Sequence, residues 1–307
     1  MLTYKEIREF IERNDSIVIF RHIHGDYDAY GAQLGLKELI KNNYPEKEVY
    51  SAGDRDIINP DFLDDMDNPD VETISRSLCI IVDTSTRDRV ENKDYLLSGN
   101  SIRIDHHPYA EEICKYEMVD PSASSASQLI VELAMDSGWS ISARAAEFLY
   151  AGISSDTLKM TIDKVDERLF LDLAFLMKSH FSVNKVNRAI YDQNTELFNK
   201  ETQLRTRIRF EGDTAYLVLS DMDLRIMNLT YREAKDMVNI MGNIAGIEKY
   251  AMFVEYENGY GVSLRSHTHP ISWIAEKYGG GGHLNASGIS AVKEEDIKYI
   301  VKLLKEA

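Results

Sequence analysis

Four clusters of acidic and imidazole side chains carry the residue types that hydrolytic chemistry needs. The first is His22-Ile23-His24-Gly25-Asp26-Tyr27-Asp28, directly after the apolar run SIVIFR. The second is Asp83, ending LCIIVD, and the third is Asp105-His106-His107, ending SIRID. The fourth is Asp156, closing the helical pattern AEFLYAGISSD. Ligands of an open α/β sheet bind at the carboxyl ends of its strands, so the first three clusters are expected to converge there. Asp26, Asp28, Asp83 and Asp156 in one place would set four negative charges against one another, a conflict that two divalent cations resolve. Carboxylate and imidazole ligands without thiolate favour Mn2+ or Mg2+, with Zn2+ or Fe2+ as further candidates. Taken singly, each cluster has an ordinary explanation, since an Asp after a strand is usually a turn former or a helix N-cap. That explanation leaves out their coincidence at strand ends. His24, His180, His267 and His269 lack such company and are read as structural.

The elements that must position these residues follow from hydrophobic pattern. An amphipathic opening helix precedes the strand Ser16–Arg21, a helix covers Ala29–Lys41, and Glu48–Ala52 is a weaker strand. Leu78–Asp83 and Ser101–Asp105 are further strands with little polar interruption. Such runs separated by helices predict a largely parallel sheet covered on both faces. Helices then dominate, over Ser124–Ser137 (with Ser122–Ser127 as its N-cap region), Ala143–Ser155 and Glu167–Lys178. Leu197–Arg209 reads as a linking helix. The character then changes to a strand at Thr214–Leu219 and a helix at Tyr231–Met241. A hairpin follows, turning at Asn258-Gly259 between Ala251–Glu257 and Tyr260–Arg265. Pro270 opens a short helix through Tyr278, and Glu294–Leu304 closes the chain as an amphipathic helix. The expected class is α/β in two domains. A mostly parallel-sheet domain over residues 1–185 and a linker helix over 186–210 precede a smaller α/β domain over 211–307, with a cleft between the domains.

Composition narrows the function. The chain has 307 residues, 44% hydrophobic and 28% charged, and a formal net charge of −16. Such a balance argues against tight, sequence-blind binding of long duplex nucleic acid, yet leaves room for a small anion in a local cationic or metal-bearing pocket. Two cysteines, Cys79 and Cys114, cannot make a disulfide framework, so a reducing cytoplasm is expected. No apolar stretch reaches the length of a membrane span, and no membrane partner is expected.

With these residues in view, the chain resembles a known family. His22-x-x-Gly-Asp26-x-Asp28-Ala29, Asp83, Asp105-His106-His107-Pro108 and Asp156 look like the ordered motifs of the DHH phosphoesterase superfamily. Gly279-Gly280-Gly281-Gly282-His283 is similar to the glycine-rich motif of its DHHA1 associated domain. The resemblance implies two metal ions, one on His22, Asp26 and Asp83, the other on Asp28, Asp83, His106 and Asp156, with Asp83 bridging. It implies that Asp105 orients the histidines and that His107 faces the phosphoryl group, stabilising its charge or protonating the leaving oxygen. Thr157-Leu158-Lys159-Met160 departs from the family's usual continuation after Asp156.

In the C-terminal part, consecutive glycines allow backbone N–H groups to approach an anion, as in phosphate-cradling nests. Arg265 suits bidentate pairing with a terminal phosphate, and His283 adds a second contact. The expected substrate-binding set is therefore Arg265, Gly280, Gly281, Gly282 and His283. The resemblance points to the short two-domain branch, whose members degrade short RNA oligonucleotides, cleave linear dinucleotides such as pApA and often dephosphorylate 3′-phosphoadenosine 5′-phosphate (pAp). A homodimer would be common for that branch. Two other classes compete: a RecJ-like single-strand exonuclease, for which the chain is short, and a nucleotide-binding regulator without turnover, whose mark would be lost metal ligands. All the expected ligand positions are filled.

Overall fold

The runs SIVIF, LCIIV and SIRID are too short for helices and too apolar to face water on either side, and each becomes a strand of one sheet. The computed structural model describes residues 1–54, 57–257 and 259–307. The chain divides into two units, Met1–Asp192 and Gln193–Ala307.

The N-terminal unit runs α1 (Tyr4–Arg13), β1 (Ser16–Phe20), α2 (Tyr27–Asn43), β2 (Glu48–Ser51), α3 (Val71–Arg76), β3 (Leu78–Val82), β4 (Ser101–Asp105) and β5 (Tyr116–Val119). It continues with α4 (Ala126–Ser137), α5 (Ala143–Asp156), α6 (Glu167–Leu176) and α7 (Val183–Tyr191). Its sheet has the order β2-β1-β3-β4-β5, parallel throughout. Every residue of β1 and β3 is buried. One face packs Ile17, Ile19, Leu78 and Ile80 against α2, α4 and α5; the other packs Val18, Phe20, Cys79 and Ile81 with Ile74 and Tyr95. This is a doubly wound arrangement whose order reverses between β1 and β3, where such sheets open a crevice for ligands.

The C-terminal unit runs α8 (Thr195–Arg205), β6 (Arg209–Glu211), β7 (Thr214–Leu219), α9 (Asp221–Met227), α10 (Tyr231–Asp236), β8 (Lys249–Tyr256), β9 (Gly259–Ser266), α11 (Ser272–Lys277), β10 (Gly281–His283), β11 (Ala286–Val292) and α12 (Glu294–Glu306). Its sheet is mixed, in the order β10-β11-β9-β8-β7-β6, with only β7 and β8 parallel.

Several details differ from the pattern reading. The stretch 186–210 is not one helix, because α7 ends at Tyr191 and α8 starts after Asn194, whose side chain caps it. The helix expected over Tyr231–Met241 is α only to Asp236 and tightens to a 3₁₀ turn over Met237–Met241. β8 and β9 form the expected antiparallel pair. Of the expected turn, Asn258 lies outside the described residues and Gly259 is already the first residue of β9. The glycine tract expected as a phosphate-cradling nest contributes a strand, β10.

Candidate active site

β1, β3 and β4 are neighbours in the sheet, so three clusters far apart in sequence emerge side by side from their carboxyl ends. His22 Nδ1–H donates to the carbonyl of Ile23 at 2.8 Å. That bond leaves Nε2 facing Asp83 Oδ2 at 3.3 Å and Asp26 Oδ2 at 3.8 Å. Asp26 is the N-cap of α2, its Oδ1 accepting from the N–H groups of Asp28 (3.0 Å) and Ala29 (3.1 Å). Asp28, fully buried, accepts from the first N–H groups of α4, Ala126 at 2.7 Å and Ser127 at 2.9 Å. The positive end of a helix thus offsets part of its charge. Asp156 arrives from a helix rather than a strand. α5 approaches α2 backbone to backbone because Gly31 and Gly152 bear no side chain. A Cβ on Gly152 would lie 2.8 Å from Asp28 Oδ1, and one on Gly31 2.6 Å from the carbonyl of Phe148.

At the centre, Asp83 is shared. While its Oδ2 faces His22, its Oδ1 lies 3.4 Å from His106 Nε2. The same Nε2 is 3.4 Å from Asp156 Oδ2 and 3.7 Å from Asp28 Oδ2. Ligand atoms of His22, Asp26 and Asp83 lie together, as do those of Asp28, His106 and Asp156, each group within 4.8 Å. Burial, and then the charge of Asp83, push the Asp28 carboxyl up to about 7. Burial and the charges of Asp28 and Asp83 hold Asp156 well above the carboxylate range. Burial opposes ionisation of Asp83 too, but the neighbouring His106 and His22 imidazoles outweigh it and keep that carboxylate low. His106, despite burial, is pushed up to about 10 by Asp83, Asp28 and Asp156. The site therefore asks for positive charge, and among the described residues imidazole is the cation-forming group at its centre. Asp83 Oδ1 is buried and accepts no hydrogen bond. A carboxylate and imidazole donor set with such an oxygen fits hard divalent cations.

His107 flanks this cluster, its Nδ1 3.5 Å from Asp83 Oδ1, and it groups with Asp83 and His106 within the same reach. Its Nδ1–H donates to Asp105 Oδ1 at 2.8 Å, and its side chain is 29% exposed where that of His106 is 11% exposed. Behind Asp105 stands Arg103, fully buried and ion-paired with it. Burial works against the Asp105 carboxylate, but His107 and Arg103 hold it below its usual range. Asp105 was expected to orient both histidines. It holds His107 only, and His106 Nδ1 is buried without a hydrogen-bond partner. After Asp156 the departing residues form a strained turn, with Leu158, Lys159 and Met160 at φ of 48°, 63° and 64°. Three successive side-chain-bearing residues in the left-handed region are costly, and such strain gathers at functional sites.

In the C-terminal unit, strand register decides which residues share a face. His283 pairs with Ala286, Ala286 with Arg265, and Arg265 with Tyr250. Directly opposed residues point to the same side, so His283 and Arg265 stand in one row with the small Ala286 between them. Arg265 is half-buried and Nη1 donates to the carbonyl of Leu264 at 2.9 Å. The expected glycine nest is corrected. Gly279 N–H donates to Glu276 O at 3.0 Å and Gly280 N–H to Ala275 O at 2.8 Å, ending α11. Gly281 and Gly282 lie on the edge strand β10. Glycine is needed here for close approach of backbone to backbone, since a Cβ on Gly280 would fall 2.1 Å from the carbonyl of Gly288.

Comparison with known proteins agrees with this geometry. Residues 16–153 match the DHH family N-terminal domain, and residues 224–307 match the DHHA1 domain. The chain belongs to the DHH family. It is 32% identical over 300 residues to the bifunctional oligoribonuclease and PAP phosphatase NrnA of Bacillus subtilis, covering 96% of each chain. It is 33% identical to a probable bifunctional oligoribonuclease and PAP phosphatase NrnA of Streptococcus mutans, covering 99% of each. An exopolyphosphatase-related protein from Bacteroides fragilis has the same fold, with a TM-score of 0.87 at 24% identity over 99% of this chain and 95% of that one.

Within this DHH chain the structure gathers His22, Asp26, Asp28, Asp83, His106 and Asp156 into one cluster, with Asp105 and His107 at its edge. Arg265 and His283 share a face of the C-terminal sheet. One residue escaped the reading from sequence. Arg103 looked like one polar interruption in an apolar strand; an arginine two residues before an aspartate is the signal that could have found it.

Proposed function

We propose that this chain is a metal-dependent phosphoesterase that hydrolyses short oligonucleotides such as nanoRNA and pApA, and also pAp. The observation that carries the reading is the sharing of Asp83, one oxygen toward His22, which groups with Asp26, the other toward His106, whose Nε2 also faces Asp156. The names of its relatives from Bacillus subtilis and Streptococcus mutans support the substrate class. His22, Asp26 and Asp83 would hold one divalent ion and Asp28, Asp83, His106 and Asp156 a second, with Mn2+ as the favoured metal. Bound there, such ions supply Lewis acidity and a nucleophilic hydroxide at neutral pH.

The side chains around the ions carry the remaining steps. Asp105 accepts from His107 Nδ1–H, which leaves Nε2 as the ring atom to serve the phosphoryl oxygens or the leaving oxygen. Arg103 keeps Asp105 anionic, which holds the ring in that orientation. The N–H groups of Ala126 and Ser127 fix the orientation of the Asp28 carboxylate. Arg265, His283 and the β10 segment hold the substrate's terminal phosphate. Asp105 and His107 are thus the positioning and proton-donating pair.

The test is hydrolysis of pAp, pApA, a short RNA and a long RNA by purified protein with Mn2+ and an EDTA control. Rapid, EDTA-sensitive loss of pApA and the short oligomer, with the long one spared, is expected. Tight nucleotide binding without hydrolysis under any metal would replace this reading with that of a regulator.

A further inference from the structure

The ligand group built on His22 is held in place by a device that none of its ligands supplies. Arg21 follows the last residue of β1, and its side chain is 1% exposed. The guanidinium joins the loops that follow β1, β2 and β3. Nη1 lies 2.5 Å from Glu91 Oε2 and donates to the carbonyl of His22 at 3.0 Å. Nη2 donates to the Tyr30 hydroxyl oxygen at 2.9 Å and to the carbonyl of Asp54 at 3.5 Å. The chain beside the ion pair comes down to bare backbone. A Cβ on Gly53 would lie 2.5 Å from Glu91 Oε2, and one on Gly25 3.0 Å from Arg21 Nη1. Gly25 stands between His22 and Asp26, so the guanidinium packs against the loop that carries both ligands.

Glu91 is joined to Arg21 a second time through the backbone, its N–H donating to the carbonyl of Arg21 at 3.0 Å. His22 and Val90 form an antiparallel bridge, and Ile23 N–H donates to the carbonyl of Arg89 at 2.7 Å. Residues 21–23 and 89–91 thus run as a short ribbon, closed at one end by the ion pair. The ribbon ties the loop carrying His22 to the chain that leaves Asp83, and His22 Nε2 faces Asp83 Oδ2 at 3.3 Å. The second ligand group has other supports: the first N–H groups of α4 for Asp28, and the close approach of α5 to α2 for Asp156. As a stability device the ion pair is a poor one. Burying its charges costs desolvation that their attraction only partly returns, and Arg21 Nε is buried with no hydrogen-bond partner among the described residues. What a planar guanidinium does deliver is fixed geometry, since its fork holds a carboxylate and a carbonyl in set directions.

We propose that Arg21 and Glu91 are positioning residues for the His22, Asp26 and Asp83 group, setting its affinity for a divalent ion while the Asp28, His106 and Asp156 group relies on its own supports. The inference rests on the proposed two-metal reading. Its test follows the imidazole nitrogen signals of His22 and His106 by NMR in the full chain, first in EDTA and then on stepwise addition of Mg2+. Wild type, Glu91→Gln and Arg21→Lys are compared, each checked for a cooperative melting transition. Glu91→Gln keeps the size of the side chain and removes its charge, whereas Arg21→Lys keeps the charge and removes the fork. In EDTA both variants should move the His22 signals and leave those of His106 in place. With Mg2+, the concentration that half-saturates the His22 signals should rise about 10- to 100-fold, as for other partners standing behind a ligating histidine. That for His106 should stay as in wild type. His22 signals unmoved in EDTA by a folded variant would overturn the inference, whether or not the protein binds metal. Equal displacement of both histidines would also overturn it, as a general loosening of the fold. A selective His22 shift in a chain whose signals ignore both Mg2+ and Mn2+ would support the positioning role while overturning the two-metal reading.

Discussion

The two regions singled out are opposites in charge and alike in design. In the N-terminal unit, Asp26, Asp28, Asp83 and Asp156 crowd around two imidazoles. In the C-terminal unit, Arg265 stands half-buried on the sheet face it shares with His283, with no ion pair of its own among the described residues. A third region shows what a self-sufficient cluster looks like. There Arg168 donates to Glu132 and, at 2.9 Å, to Asp120, while Tyr4 donates to Glu132 and Gln128 to Asp172 at 2.9 Å. That network satisfies its charges from within, with the Asp172 carboxyl raised by burial and by Glu132, and it holds α1, α4 and α6 together. The other two leave a surplus of one sign that burial makes expensive. On the proposed reading, each is met by a ligand of the other sign, cations in one case and phosphate in the other.

The comparison can be broken most sharply at its shared oxygen. Asp83→Ala should lower turnover of pApA by about 10³-fold or more, since it removes a ligand from both metal groups. Metal titration should show a matching loss of bound Mn2+; near-normal turnover would sink the two-metal mechanism. Next in size, His107→Ala should reduce kcat by about 10²- to 10⁴-fold as a lost proton donor while metal binding persists. A variant that loses metal instead would make His107 a ligand. Smaller again, Arg265→Ala should raise KM for pApA about tenfold, with less effect on ApA. Equal KM values in variant and wild type would count against the grip.

The self-sufficient cluster supplies the smallest effect and the control. Burial, and then the neighbouring Glu132, push Asp172 up to about 7. Between about pH 4 and pH 7 this carboxyl is protonated in the fold and ionised in the unfolded chain, so stability falls as pH rises through that window and is level above it. Asp172→Asn should abolish the fall and gain about 1–3 kcal/mol at pH 7.5. Thermal denaturation across pH would check it, and an unaltered slope would show that Asp172 is ionised in the native state.

Much of the metal cluster was legible because its ligands follow β-branched runs that can only be buried strands. The helix-borne Asp156 was legible as an end, not as a neighbour of Asp28, because the contact depends on two glycines in different helices. β5 was missed, as YEMV is too short and mixed to stand out from loop. β10 was missed because glycine has no preference for strand; its pairing partner, β11, imposes the conformation.

Residue order alone determined that short apolar strands deliver acids and imidazoles to the edge of a parallel sheet, because period, burial and β-branching are local properties of the chain. It also determined the acidic surplus that makes any unpaired cation informative. Tertiary structure alone decided that Asp83 turns one oxygen to each ligand group, that Asp105 serves His107 and not His106, and that His283 lies on the face of Arg265. Those facts depend on strand register and helix placement, where a shift of one residue carries a side chain to the opposite face.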